Sequence, residues 1–231
     1  MSPKNRRKLD LCAAELGVQL LKTGRVLDVR WVASSFRTVL AVWTSYPALY
    51  KHFSDAASDA KVNGKDKAEL KGLAAKLSSD VTLMNIAVMC DALEELSELS
   101  LSLQAESVSI QKVHHLIARQ VEVFTARKTD GDDRYEIAFK AVNEGSFRGV
   151  PIVVSNSKAD RLINRSQFYQ ALVDSLSRRL MPDSEREIVD CLSVLLPNPW
   201  PSALSAEYGE LQLKQACMKC RVPYCRQLKQ E

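Results

Sequence analysis

Residues 80–104, DVTLMNIAVMCDALEELSELSLSLQ, decide the fold class. The stretch holds neither Gly nor Pro. Ile86, Met89, Leu93, Leu96 and Leu103 recur along it at near-heptad steps, interrupted by Ser100. That is the period of a long amphipathic helix. Asp91, Glu94, Glu95 and Glu98 crowd its other side. Residues 107–128, SVSIQKVHHLIARQVEVFTARK, repeat the pattern with Ile110, Val113, Ile117, Val121 and Phe124, and their charges are mainly basic. Ser107 or Ser109 supplies the N-cap. An acidic rod and a basic rod joined by about five residues predict an antiparallel helix hairpin. Their opposite charges set orientation more than stability, because exposed pairs contribute little.

Upstream, KLDLCAAELGVQLLK (8–22) places Leu9, Cys12, Leu16 and Leu20 on one helical face, with Gly24 as its stop. Residues 30–53 read as a second long helix that Pro47 kinks or restarts. The polar SDAASDAKVNGKDK gives an inner loop at about 54–66. Downstream, TDGDDR breaks the helical pattern and residues 134–143 form a short helix. GSFRGVPIVVSN (145–156) is the one stretch with extended character. A further helix runs from about Asn164 to Leu180 with Phe168, Leu172, Leu176 and Leu180 at four-residue steps. Pro182 opens another, with Ile188, Cys191, Leu192 and Leu195 inward. The tail carries a Pro-Trp-Pro turn and one last amphipathic helix. The fold class is mainly α, a multi-helix bundle.

The 231 residues suffice for one large domain or two small ones. A net charge of +4 over 32 basic and 28 acidic residues is too mild to argue nucleic-acid binding. The basic run Lys4, Arg6, Arg7 and Lys8 reads as a solvated N-terminal arm over residues 1–7. No apolar run has the length of a membrane span, and no apolar leader follows the N-terminal charges. The six cysteines are therefore expected to be mostly reduced thiols in an intracellular protein, with Cys12, Cys90 and Cys191 buried among apolar neighbours.

Four segments carry a family resemblance. RVLDVRWVASSFRTVLAVWTSYPALYKHF (25–53) resembles the Arg-Trp helix of hAT-superfamily transposases and of vertebrate proteins descended from them. LMNIAVMCDALEELSELSLSLQ, INRSQFYQALVDSLSRRL and LLPNPWPSALSAEYGELQL are similar to later segments of the same proteins, in the same order. The likeness is strongest to a domesticated subgroup labelled SUMO-ligase-like, and it covers about residues 8–215. The remainder, 216–231, departs from the family as a divergent Cys-containing tail. The resemblance implies the helical domain inserted into an RNase H-like transposase core, and not the segments whose two Asp and one Glu hold divalent metals there. No catalytic residue is carried over, since two-metal chemistry needs those carboxylates; Asp28 reads as a turn residue. In active relatives the Trp lies near DNA, which makes Arg30 and Trp31 the DNA-contact candidates, Trp31 by stacking on a flipped base. The plainer reading, and the one favoured, is that Trp31 anchors helix packing with Arg30 paired to a carboxylate.

Three other constellations stand out. CMKCRVPYC supplies Cys217, Cys220 and Cys225, a half-set for zinc that lacks a fourth ligand, so free thiols are favoured and no cofactor is expected. His114 and His115 sit mid-helix facing different ways, as on a helix surface. Val150, Ile152 and Val153, followed by Ser155, Ser157 and Asp160, have the form of a SUMO-interacting segment that docks by strand addition. The competing reading buries these residues in a local strand. Together these features imply a non-catalytic, nuclear protein-interaction module. The alternatives are a SUMO-transfer factor engaging SUMO or its conjugating enzyme through 150–153, and a DNA-binding transposase remnant.

Overall fold

The computed structural model describes residues 3–21, 31–106, 109–131, 133–155, 161–180, 183–195, 205 and 207–220. Over them the chain is mainly helical: α1 (Pro3–Leu16), α2 (Trp31–Thr44), α3 (Tyr46–Ser58), α4 (Gly64–Leu77), α5 (Asp80–Leu103), α6 (Ile110–Ala126) and α7 (Asp133–Glu144). A two-stranded hairpin follows, β1 (Ser146–Phe147) and β2 (Val150–Pro151). Then come α8 (Arg165–Leu180), α9 (Asp183–Leu192) with a 3-10 turn at Ser193–Leu195, and α10 (Glu210–Lys219). The chain divides into two compact units, Met1–Leu101 with Arg127–Phe168, and Ser102–Ala126 with Tyr169–Glu231. The acidic and basic rods are helices at the expected places, but α5 as far as Leu101 belongs to the first unit and α6 to the second.

Local chemistry fixes the helix ends in the first unit. α1 stops at Leu16, well before Gly24, because Gly17 adopts φ +64°. The Gly17 and Val18 amides then donate to the carbonyls of Ala14 and Ala13, a Schellman closure. Helix begins at Pro3, so most of the supposed basic arm is α1, and Arg6 bonds Asp10 one turn on. Pro47 restarts the chain: α2 ends at Thr44, and α3 begins with Pro in its first turn, where no amide is missed. The inner loop at 54–66 is corrected to 59–63. Asn63 Oδ1 accepts from the Asp66 amide at 2.8 Å while Asn63 Nδ2 donates to Asp66 Oδ2, a reciprocal cap that starts α4.

α5 is the axis of the first unit. Leu83, Ala87 and Cys90 are fully buried, and Met84, Val88, Ala92 and Leu93 nearly so. Of the expected seam only Leu93 is buried; Ile86, Met89, Leu96 and Leu103 are half-exposed. The buried positions cover a wide arc because α5 is wrapped on several sides, and a single-partner seam has the wrong breadth for that. Ala87, Cys90 and Ala92 are small enough for close approach. Around α5 gather Trp43, Tyr46, Leu77, Ala138, Phe147 and Val150. Burying a side chain such as Leu83 contributes about 2 kcal/mol. The Tyr46 hydroxyl donates to the Leu77 carbonyl at 2.7 Å, satisfying one open carbonyl of the last turn of α4.

The hairpin turns at Arg148-Gly149, where φ is +49° and +84°, as a two-residue turn of the primed kind requires. Glycine adopts this region freely; arginine does so at a penalty of roughly 1 kcal/mol. The Arg148 guanidinium stacks 4.9 Å from the Phe147 ring centroid and 5.5 Å from that of Trp43, and donates to the Trp43 carbonyl at 3.1 Å. These contacts offset the strain and fasten the hairpin to α2. Asn85 of α5 clips the incoming chain, donating to the Arg161 carbonyl and accepting from the Ile163 amide.

In the second unit Ile117 and Phe124 of α6 are buried, and Phe124 packs 5.6 Å from Tyr169 of α8. Ser109 supplies the N-cap of α6, accepting from the Lys112 amide. α9 and α10 run antiparallel, with Glu187 bonded to Lys219 and Cys191 bonded to Gln215. On α9 Val189 is buried, while Ile188, Cys191 and Leu192 are half-buried, and Leu195 beyond it is exposed. α10 crosses the expected boundary at 215, so its last turn holds the start of the supposed tail. Among the described residues no helix is long and apolar enough to cross a membrane.

Candidate functional site

Trp31 opens α2 with its side chain 55% exposed, whereas Trp43 is buried in the core three turns on. The packing-anchor reading of Trp31 is therefore corrected: the indole is open. The buried residues of α2 are Ser34, Ala41 and Trp43. Arg30 and Asp28 lie outside the described residues.

The residues singled out for strand addition divide. Val150 and Ile152 are buried in the core cluster around α5. Val153 and Val154 are each 63% exposed. The backbone here is already engaged: Ile152 donates to the Gly145 carbonyl at 2.9 Å and Val153 to the Ser78 carbonyl at 2.7 Å. The Asp80 amide in turn donates to the Val153 carbonyl, and Asp80 Oδ1 accepts from the Ser155 amide. Strand addition through Val150 and Ile152 thus conflicts with this fold, since it requires stripping both from the core. Ser157 and Asp160 lie outside the described residues.

What remains open at this place is a groove of about 480 Å³ lined by Ala75, Lys76, Ser79, Val153, Val154 and their neighbours. Its backbone is fixed by the bonds just given, so two branched apolar side chains are held outward on a rigid support. Val153 is legible in the sequence as part of the extended apolar stretch, but Val154 and the groove are not, because the other wall is α4, some eighty residues away along the chain.

A second cavity, about 340 Å³, lies between α1 and α3 and is lined by Lys8, Leu11, Cys12, Glu15, His52, Asp55, Ala56 and Asp59. Lys8 bonds Asp59 at 3.2 Å, and Lys51 bonds Glu15 at 3.1 Å and Asp55 at 3.4 Å. Burial, with Asp55 adding to it, raises the Cys12 thiol, so it is a poor nucleophile. Sequence periodicity gave Cys12 as buried, but nothing in the sequence paired it with His52, forty residues on.

The remaining candidates are scattered. Cys217 is half-buried in α10, Cys220 is its exposed C-cap, and Cys225 lies outside the described residues. Among the described residues no three His, Cys, Asp or Glu side chains are grouped to hold a metal ion. His114 is half-buried and His115 exposed, facing apart as the periodicity required. Charge concentrates on the acidic side of α5. Arg134 of α7 bonds Asp91 and Glu94 of α5 at 2.9 and 2.6 Å, and Arg127 bonds Glu95 at 2.7 Å. This network ties α7 to α5. Against family models, curated proteins and solved structures, the chain finds no match.

Proposed function

We propose that this chain is a non-catalytic, nuclear protein-interaction module of hAT-transposase descent. The observation that carries the reading is the pair of exposed valines, Val153 and Val154, held rigidly over an apolar groove. Open apolar side chains on a fixed backbone are what protein partners bury. The likeness of residues 8–215 to the helical insertion of the transposases supports a scaffold that grips and does not cut.

The test is site-directed photo-crosslinking in cells, with a benzophenone side chain at position 154 and, as control, at the exposed Lys65 of α4. The expected result is one saturable adduct from position 154 that Val153→Asp abolishes without loss of fold. Equal adducts from both positions overturn the reading. Magnesium-dependent cleavage of DNA by the purified chain overturns its non-catalytic part.

The open indole of Trp31 favours a second reading, contact with DNA bases. It predicts DNA binding that weakens in Trp31→Ala and falls steeply with salt. Binding that is absent, or unchanged by the substitution, removes it.

A further inference from the structure

Helices α1 and α3 meet along a stripe that turns from apolar to charged. On α3 the stripe is Ala48, His52 and Asp55, at four- and three-residue steps, and the C-cap Asp59 continues it. Leu9, Cys12 and Ala13 meet it from α1. The bonds Lys8–Asp59 and Glu15–Lys51 make the two helices antiparallel, and His52 lies between them, next to the Glu15–Lys51 end. Its side chain lies against the Phe53 ring, and the residue is only 4% exposed.

The charged groups lining the cleft with His52 are Lys8 and Glu15 from α1, Asp55 from α3 and Asp59 at its C-cap; Lys51 bonds two of them, and the Cys12 thiol lies beside them. Each of the three carboxylates already holds a lysine: Asp59 holds Lys8, while Glu15 and Asp55 share Lys51. A protonated imidazole here is a buried cation whose nearest acids are engaged and whose neighbour Lys8 repels it.

We propose that α1 is an acid-released latch: protonation of His52 loosens α1 from α3 and uncovers the apolar stripe at Ala48 and Leu49. The direction follows from linkage. Burial first, and then Lys8, hold the His52 imidazole below its ordinary value of 6.5, with Asp55 partly opposing. A group depressed in the fold binds more protons when released. The docked state therefore keeps its full advantage well above pH 6.5 and loses it as pH falls through that value, by up to about fivefold between pH 6.5 and 5.5. Asp59, held down by the Lys61 amide and Lys8, acts in a separate window, near and below its ordinary 3.8.

Cys12 is a built-in reporter, buried on α1 in the same cleft, and Cys90 in the core around α5 is an internal control. The full chain is labelled with dithiodipyridine from pH 7.5 to 5.0. Modification at each cysteine is read by mass spectrometry and divided by the rate in the unfolded chain at the same pH. Protection of Cys12 is expected to fall up to about fivefold between pH 6.5 and 5.5 while that of Cys90 holds. His52→Gln is expected to flatten the Cys12 profile, whatever its starting level. In the wild type, NMR titration of the imidazole absent from the His52→Gln spectrum is expected below pH 6.5. The latch is overturned by a flat wild-type profile, by the same slope in His52→Gln, or by a His52 titration at or above 6.5.

Discussion

Replacing Arg134 by Met isolates what the α5–α7 network contributes. The guanidinium meets Asp91 Oδ1 at 2.9 Å and Glu94 at 2.6 and 3.2 Å. Glu94 is too open for its pairing to weigh much. Asp91 decides the magnitude, because its side chain is 3% exposed and stays behind as a buried carboxylate without that guanidinium. Methionine keeps the packing of the arginine stem, so the charge term dominates. Removing one partner of a buried pair costs about 3 kcal/mol. At about 3 °C per kcal/mol for a chain of this size, Tm is expected to drop by roughly 9 °C. Urea unfolding followed by circular dichroism measures it. The double variant Asp91→Asn with Arg134→Met is expected to regain most of the loss. A loss under about 1 kcal/mol, or a double variant no better than the single one, refutes the reasoning.

Four further outcomes follow from the same packing. Tyr46→Phe leaves the Leu77 carbonyl without its hydroxyl donor in a dry site and is expected to lower stability by about 1 kcal/mol in urea melts. Arg148→Ala keeps a positive φ at the turn and removes the contacts that offset it, so a loss of about 1–2 kcal/mol is expected by the same measurement. Burial pushes the Cys90 thiol up to about 12, so iodoacetamide at pH 8 is expected to modify the exposed Cys220 first and to spare Cys90 until the chain unfolds. Trp31→Ala is expected to change stability by less than about 0.5 kcal/mol, since the indole is already open; a larger loss restores its role as a packing anchor.

Helix identity was largely legible because it is written in neighbouring residues. The long run at 80–104, the Ser109 cap, the Pro47 restart and the short helix before Gly145 are all local signals, and each stands where the sequence put it. α4 was legible too and went unread: Asn63 and Asp66 form the pair of a helix start, followed by Leu70, Leu73 and Leu77 at three- and four-residue steps. Which residues are buried was less legible. On α8 the four-residue row Phe168, Leu172, Leu176 and Leu180 contains one buried residue, and the fully buried position is Tyr169, one step aside. A helical row says that one face is apolar, but the neighbours decide how far round the contact extends.

By itself, then, the sequence determined a mainly helical chain, its extended stretch within 145–156 and several of its helix ends, since capping, propensity and periodicity act within a few residues of one another. The tertiary structure alone decided that Asp91 is buried against Arg134, that Val150 faces inward while Val153 faces outward, and that His52 sits beside Cys12 with Lys8 near it. Each of these depends on which surfaces distant segments present to one another, and on the desolvation that follows. Burial and charge pairing are properties of that three-dimensional arrangement, and no local pattern of residue types encodes them.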